Sequence, residues 1–270
     1  MFKNYTRMLS LVFIWLPVSA IFISGCGDAG PPMDQVFTPP AFSAALEVNA
    51  DQETLGSLIV TNTGEHTFPR DEAFEAEMNL WDQNTTPMFK IEVPTIQEIQ
   101  PGETIYIASG YWHLDPGVYF LTWGSPKYGG VITVFSVIEK SDRLYLGELQ
   151  SFRTKPANYV NITARAGSVQ SFSLDDKDTI IIQGETPIPD LGCVFPLIFD
   201  QSGLLDGIPI GQCASIAEGR WQMQIPPDPA DFQINIQPDT SYRIILFSDD
   251  LSIAPSEPFE IIISPPPVNN

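Results

Sequence analysis

Along much of this chain apolar and polar residues change places at every second position, most clearly in Phe74-Glu75-Ala76-Glu77-Met78-Asn79-Leu80. Successive side chains of a strand point to opposite faces. This alternation therefore predicts a strand that buries Phe74, Ala76, Met78 and Leu80 and turns both glutamates and Asn79 to water. Arg220-Trp221-Gln222-Met223-Gln224-Ile225 repeats the pattern, and so do Phe232, Ile234 and Ile236. Leu58 to Thr61, Ile105 to Ala108, Val118 to Trp123 and Val131 to Ile138 are short runs rich in β-branched and aromatic residues, which read as further strands. Asn62-Thr63-Gly64, Pro101-Gly102, Pro116-Gly117 and Gly129-Gly130 lie between them and supply the backbone freedom or fixed φ of tight turns. No segment after the first 25 residues holds a helical period with caps. The expected class is all-β, a sandwich or barrel of short strands.

Two units are expected, spanning residues 42–152 and 160–264. Lys155-Pro156-Ala157-Asn158 interrupts the pattern between them, and Pro265-Pro266-Pro267-Val268-Asn269-Asn270 follows as a disordered tail, 265–270. The first unit holds Ser57-Leu58-Ile59-Val60-Thr61-Asn62-Thr63-Gly64, then Pro101-Gly102-Glu103-Thr104, then Pro116-Gly117-Val118-Tyr119. This succession resembles many bacterial immunoglobulin-like modules, and its spacing is similar to the intracellular proteinase inhibitor family of bacilli. The resemblance covers Ser57 to Trp123 and rests on turn chemistry. It implies two immunoglobulin-like β-sandwich domains and, as one alternative function, protease inhibition, although no reactive loop is identifiable by residue. The end of the second unit, Asp239 to Ile244 followed by Ser256-Glu257-Pro258-Phe259-Glu260-Ile261, resembles the closing strand pair of extracellular immunoglobulin-like domains.

The first 25 residues differ from the rest. Lys3 and Arg7 precede an apolar run from Met8 to Ser24, which ends in Ile23-Ser24-Gly25-Cys26. A basic segment, an apolar segment and small residues before a cut mark a secretory signal peptide, and the cysteine after the small pair resembles the lipobox of bacterial lipoproteins. An uncut membrane anchor is the rival reading, but a span needs about 20 apolar residues. This run has 17, with Pro17, Ser10, Ser19 and Ser24 among them. The resemblance implies that 1–25 is cleaved and that Cys26 carries lipid, so that the membrane is a partner of the chain. Two or more acyl chains give lasting attachment where one does not. Gly27, rather than an aspartate, follows the cysteine, which leaves the outer membrane open as a destination beside the outer face of the plasma membrane. Residues 26–41 carry Pro31, Pro32, Pro39 and Pro40 and read as a tether. At ~3.1 Å per residue, fifteen residues of such chain reach about 45 Å.

Setting Cys26 aside leaves Cys193 and Cys213, and two remaining cysteines in an exported chain predict a disulfide. Zinc would want three or four ligands at short spacing, and the only histidines are His66 and His113, so no metal site and no cofactor is expected. The chain has 33 acidic and 13 basic residues. Removing Lys3 and Arg7 with the leader leaves 33 against 11, a net charge of −22. Nucleic-acid binding needs clustered lysine and arginine; here they are scattered, so no nucleic-acid partner is expected.

The chain contains no Gly-x-Ser-x-Gly elbow, His-Glu-x-x-His pair or phosphate-binding loop, and no catalytic residue is assigned. Asp175-Asp176-Lys177-Asp178 reads as a solvated turn or, less simply, as oxygen ligands for calcium. Tyr111-Trp112-His113 has two readings. Trp112 packs in a core, or the three form an aromatic loop that contacts a protein or glycan partner. The expected function is a lipid-anchored, extracytoplasmic, non-catalytic binding or structural module of a bacterial cell envelope. An accessory subunit of a secretion or transport assembly is a further alternative.

Overall fold

A computed structural model describes residues 38–262, apart from 70–73, 96–97, 148, 157–163, 175–178, 189–190, 201–202, 205–212 and 226–239. The signal segment, Cys26 and the acidic cluster at 175–178 lie outside the described residues, as do Phe232, Ile234, Ile236 and the tail. Every described element is a strand, so the class is all-β. The first unit contains β1 (Ala41–Val48), β2 (Thr54–Thr61), β3 (Glu77–Asp82), β4 (Pro87–Glu92), β5 (Thr104–Trp112), β6 (Gly117–Ser125), β7 (Gly129–Lys140), β8 (Arg143–Leu146) and β9 (Gln150–Thr154). The second contains β10 (Ser168–Leu174), β11 (Ile180–Glu185), β12 (Val194–Asp200), β13 (Gly203–Leu204), β14 (Ser215–Ala217), β15 (Arg220–Ile225), β16 (Ser241–Ser248) and β17 (Phe259–Ile262).

These strands form antiparallel sheets in the orders β1-β2-β5, β4-β3-β6-β7-β8, β13-β12-β16-β17 and β10-β11-β15-β14. The two units repeat one topology, with β1-β2-β5 against β4-β3-β6-β7 in the first and β10-β11-β15 against β13-β12-β16-β17 in the second. Even a packing detail recurs. An added Cβ on Gly56 of β2 would lie 2.4 Å from the Trp112 ring, and one on Gly184 of β11 would lie 2.5 Å from the Trp221 ring. In each unit a strand without a side chain at that point admits an indole into the core.

The alternations predicted at Phe74–Leu80 and Arg220–Ile225 hold. Phe74, Ala76, Met78 and Leu80 are buried in the first core, although the regular strand starts only at Glu77. Trp221, Met223 and Ile225 are buried in the second core, with polar residues between them exposed. At the closing strand pair β16 lies antiparallel to β17, and the buried Ser256 hydroxyl accepts the Leu246 N–H at 2.9 Å.

The inner sheets behave differently. On β6, Tyr119, Leu121 and Trp123 enter the first core while Val118 and Phe120 enter a separate apolar layer. On β7, Ile132 and Val134 join that layer, and from the second unit come Cys193, Phe195, Leu197, Phe199, Ile245 and Phe247. β12 and β16 thus bury one face in the second core and the other against β6 and β7, so the sheets stack in four layers with three apolar fillings. A sheet covered on both faces selects near-continuous apolar runs, which is why Val118–Trp123, Val131–Val137, Val194–Phe199 and Ile244–Phe247 lack polar alternation.

Polar clips rim the middle layer. Arg165 donates to the Pro255 carbonyl (2.9 Å) and to Thr85 Oγ1 (3.2 Å), and it pairs with Glu257 (2.7 Å). Arg243 reaches Asn84 Oδ1 at 3.2 Å while paired with Glu260 at 3.1 Å. Asn84 and Thr85 sit in the β3–β4 turn, held by Asp82 Oδ1 accepting the backbone N–H groups of Asn84 and Thr86. The Cys193–Cys213 disulfide forms, with Cα atoms 5.2 Å apart. It ties the start of β12 to the chain leading into β14 in the outer sheet, where Ala214 N–H also donates to the Val194 carbonyl at 2.8 Å.

A large apolar contact fixes adjoining units against each other, so the two should unfold together. In a Trp221→Phe variant, whose tryptophan fluorescence draws on Trp81, Trp112 and Trp123 of the first unit, that fluorescence and far-UV circular dichroism, which draws on both units, should give coincident urea transitions. Phe247→Ala should cost about 3–5 kcal/mol and lower both midpoints. Two separate transitions in the unaltered protein would contradict the fixed stack.

Candidate functional site

Tyr111 and Trp112 close strand β5 and His113 follows it, and a register break decides which way the two aromatic residues face. Gly56 pairs with Gly110 and Ser57 with Ala108, which makes Ser109 the extra residue of a β-bulge. Without the bulge, residues 106 and 111, an odd number apart, would face opposite sides of the sheet. The bulge resets the alternation, so Tyr106 and Tyr111 share the outer face while Ile107 and Trp112 point inward. The two tyrosines are 72% and 61% exposed, whereas Trp112 retains only 5% and belongs to the first core. Gly110 has φ of +152°, a backbone conformation that favours glycine.

The outer face of β1-β2-β5 can be read row by row from the pairing. Across the three strands the rows are Ala41, Thr61, Thr104; Ser43, Ile59, Tyr106; Ala45, Ser57, Ala108; and Glu47, Leu55, Tyr111. Of these residues only Glu47 is charged. The row Ala45, Ser57, Ala108 is low and lies between two rows that end in exposed tyrosines. Sequence reasoning found Tyr111 but missed Tyr106, because an odd spacing hides shared orientation. Gly110 between them was the available signal for the bulge.

His113 is largely exposed, and its Nε2 lies 3.1 Å from Glu53 Oε1. His66 follows the other end of β2, where Asn62 Nδ2 donates to its carbonyl at 2.8 Å. Thr54, at one end of β2, faces Trp112, and Thr61, at the other, faces Thr104. Those two ends are about 23 Å apart by strand rise, and the histidines, which lie beyond opposite ends, are not brought together. Near His113 the Pro116-Gly117 turn is fastened by Tyr119, whose hydroxyl donates to the Asp115 carbonyl at 2.7 Å, the geometry of a tyrosine corner. Burial, followed by the charges of Asp115 and Asp82, raises the Tyr119 pKa above its ordinary value.

The chain enters β1 at the opposite end from Tyr111. Thr63 Oγ1 donates to the Pro39 carbonyl at 3.3 Å, and Arg153 donates to the Pro40 carbonyl. Ala41 pairs with Thr61, while the Tyr111 row includes Glu47. Two clefts flank the middle layer, of about 420 and 520 Å³. Their basic side chains are already engaged, Lys90 with Glu77 in the first and Arg243 with Glu260 in the second. Among the described residues no group of three or more His, Cys, Asp or Glu side chains is placed to hold a metal ion. No protein-family model matches the chain, and no curated protein matches it.

Gly56→Val should push branched carbons into the Trp112 ring, costing about 1–3 kcal/mol and red-shifting tryptophan emission as the indole is displaced. An unchanged melting temperature and spectrum would contradict this role for Gly56. The Tyr119 phenol is more easily ionised unfolded than folded, so its stabilisation is complete below pH ~10 and is lost as pH rises through its raised folded value. Tyr119→Phe should flatten the fall in stability above pH ~10, measured by denaturation across the alkaline range.

Proposed function

We propose that this chain is a lipid-anchored extracytoplasmic module of a bacterial cell envelope, with a binding or structural role and no catalysis. The observation that carries the reading is the division of the three cysteines. Cys193 and Cys213 are joined, as suits an oxidising compartment, which leaves Cys26 at the end of a lipobox-like run as the residue for thioether lipid. The Pro-rich tether then leads into β1 at the end remote from Tyr111 and His113. An excess of surface carboxylates keeps the module soluble and repels polyanions.

Catalysis has little support in the site residues, since the histidines lie at opposite ends of the sandwich and the basic groups of the clefts are already paired. Cys26→Ser should move the protein from the membrane to the soluble fraction without changing its melting temperature, and the N-terminal peptide should lose its acyl mass. Cys193→Ser should leave location unchanged and lower stability by about 2–5 kcal/mol. If both substitutions act alike on location and on stability, the proposed division among the cysteines is wrong.

A further inference from the structure

We infer that the outer face of β1-β2-β5 binds a neutral polysaccharide strand in the shallow trough between Tyr106 and Tyr111. The inference rests on the extracytoplasmic reading above and gives that module its ligand class. The trough floor is Ala45, Ser57 and Ala108, and its walls are the rows of Ile59 with Tyr106 and Leu55 with Tyr111. Four residues of β2 separate the two walls, about 13 Å between row centres. After the side chains take their share, one extended polymer fits across the strands. Phenol rings that are mostly exposed and raised above small neighbours offer flat apolar surface for the C–H faces of sugar rings. Their hydroxyls, with those of Ser43 and Ser57, can donate to or accept from sugar oxygens.

Size and charge select this occupant over others. Three strands at ~4.8 Å spacing and seven residues at ~3.3 Å give a face of roughly 330 Å². A stable protein interface takes about 800 Å² from each partner, more than twice that, whereas a slender chain needs only the trough. Glu47 is the single charge on the face, and the whole chain carries −20, so an anionic polymer is disfavoured. The bulge that turns Trp112 into the core also turns Tyr111 outward, to the side of Tyr106.

The test uses the full-length protein in detergent micelles, titrated calorimetrically with neutral β-linked N-acetylglucosamine and β-linked glucose oligomers, and with polygalacturonate as the anionic contrast. Binding to a neutral oligomer should weaken about tenfold in Tyr106→Ala and again in Tyr111→Ala, and persist in Tyr106→Phe. Tyr145→Ala, at an exposed tyrosine on β8, should bind as the unaltered protein does. All three positions are at the surface, and equal melting temperatures check that the variants fold. Absence of binding to every neutral oligomer, equal loss in Tyr145→Ala, or preference for polygalacturonate would overturn the inference. It would also be overturned by a dimer that dissociates in the double alanine variant, since the face would then join two copies. Fractionation of the same cells is read separately. Membrane association without glycan binding removes only this inference, and a soluble chain removes the anchoring reading whatever the titration gives.

Discussion

The apolar layer between β6–β7 and β12–β16 is the contact on which the rest of the molecule depends. Its aromatic members interlock at close range, with Phe120 5.2 Å from Phe247 and 5.6 Å from Phe199, and Phe152 4.6 Å from Phe195, centroid to centroid. Burying each large apolar side chain contributes roughly 1.5–3 kcal/mol, and ten buried residues form the layer. It turns two sandwiches into one stack and covers the central strands β6, β7, β12 and β16 on both faces. β6, β7, β12 and β16 thus have no face to spare for a ligand, whereas β1-β2-β5 keeps an outer face with Tyr106 and Tyr111 exposed.

The edges of the stack are managed by the same chain. The long β7 would leave one side open, and it is covered at its two ends by different partners, β8 along Val137–Lys140 and β9 along Gly130–Val134. β9 then leads into the second unit through Lys155, whose N–H donates to the Asp249 carbonyl at 2.8 Å. Lys155 also forms a parallel bridge with Asp250, so the end of β9 is joined to the second unit.

Glycine and tryptophan together define the outer sheets. Gly56 and Gly184 leave room for Trp112 and Trp221, and in the first unit the bulge beside Gly110 adds a second consequence by bringing Tyr106 and Tyr111 to a common face. The second unit keeps the glycine–tryptophan pair but has an unbroken register between β11 and β15. The repeat is therefore structural in both units, and the tyrosine face belongs to the first.

Much was legible in the residues alone. Alternation at Phe74–Leu80 and at Trp221–Ile225 determined which side chains are inside, because a strand's period of two leaves little choice once one face is apolar. Turn chemistry located the turn at Pro101-Gly102, whereas Gly129-Gly130, read as a turn, opens β7 and the reversal itself falls on Pro126-Lys127-Tyr128; simple counting paired Cys193 with Cys213. The sequence could not tell that Val118, Phe120, Phe195 and Phe247 meet across units, since an apolar residue on a strand looks the same whether its face covers its own core or a neighbour's. Nor could periodicity show Tyr106 and Tyr111 side by side. Their shared face comes from one extra residue in the ladder, and its effect depends on the strand paired alongside, so only the tertiary structure decided it.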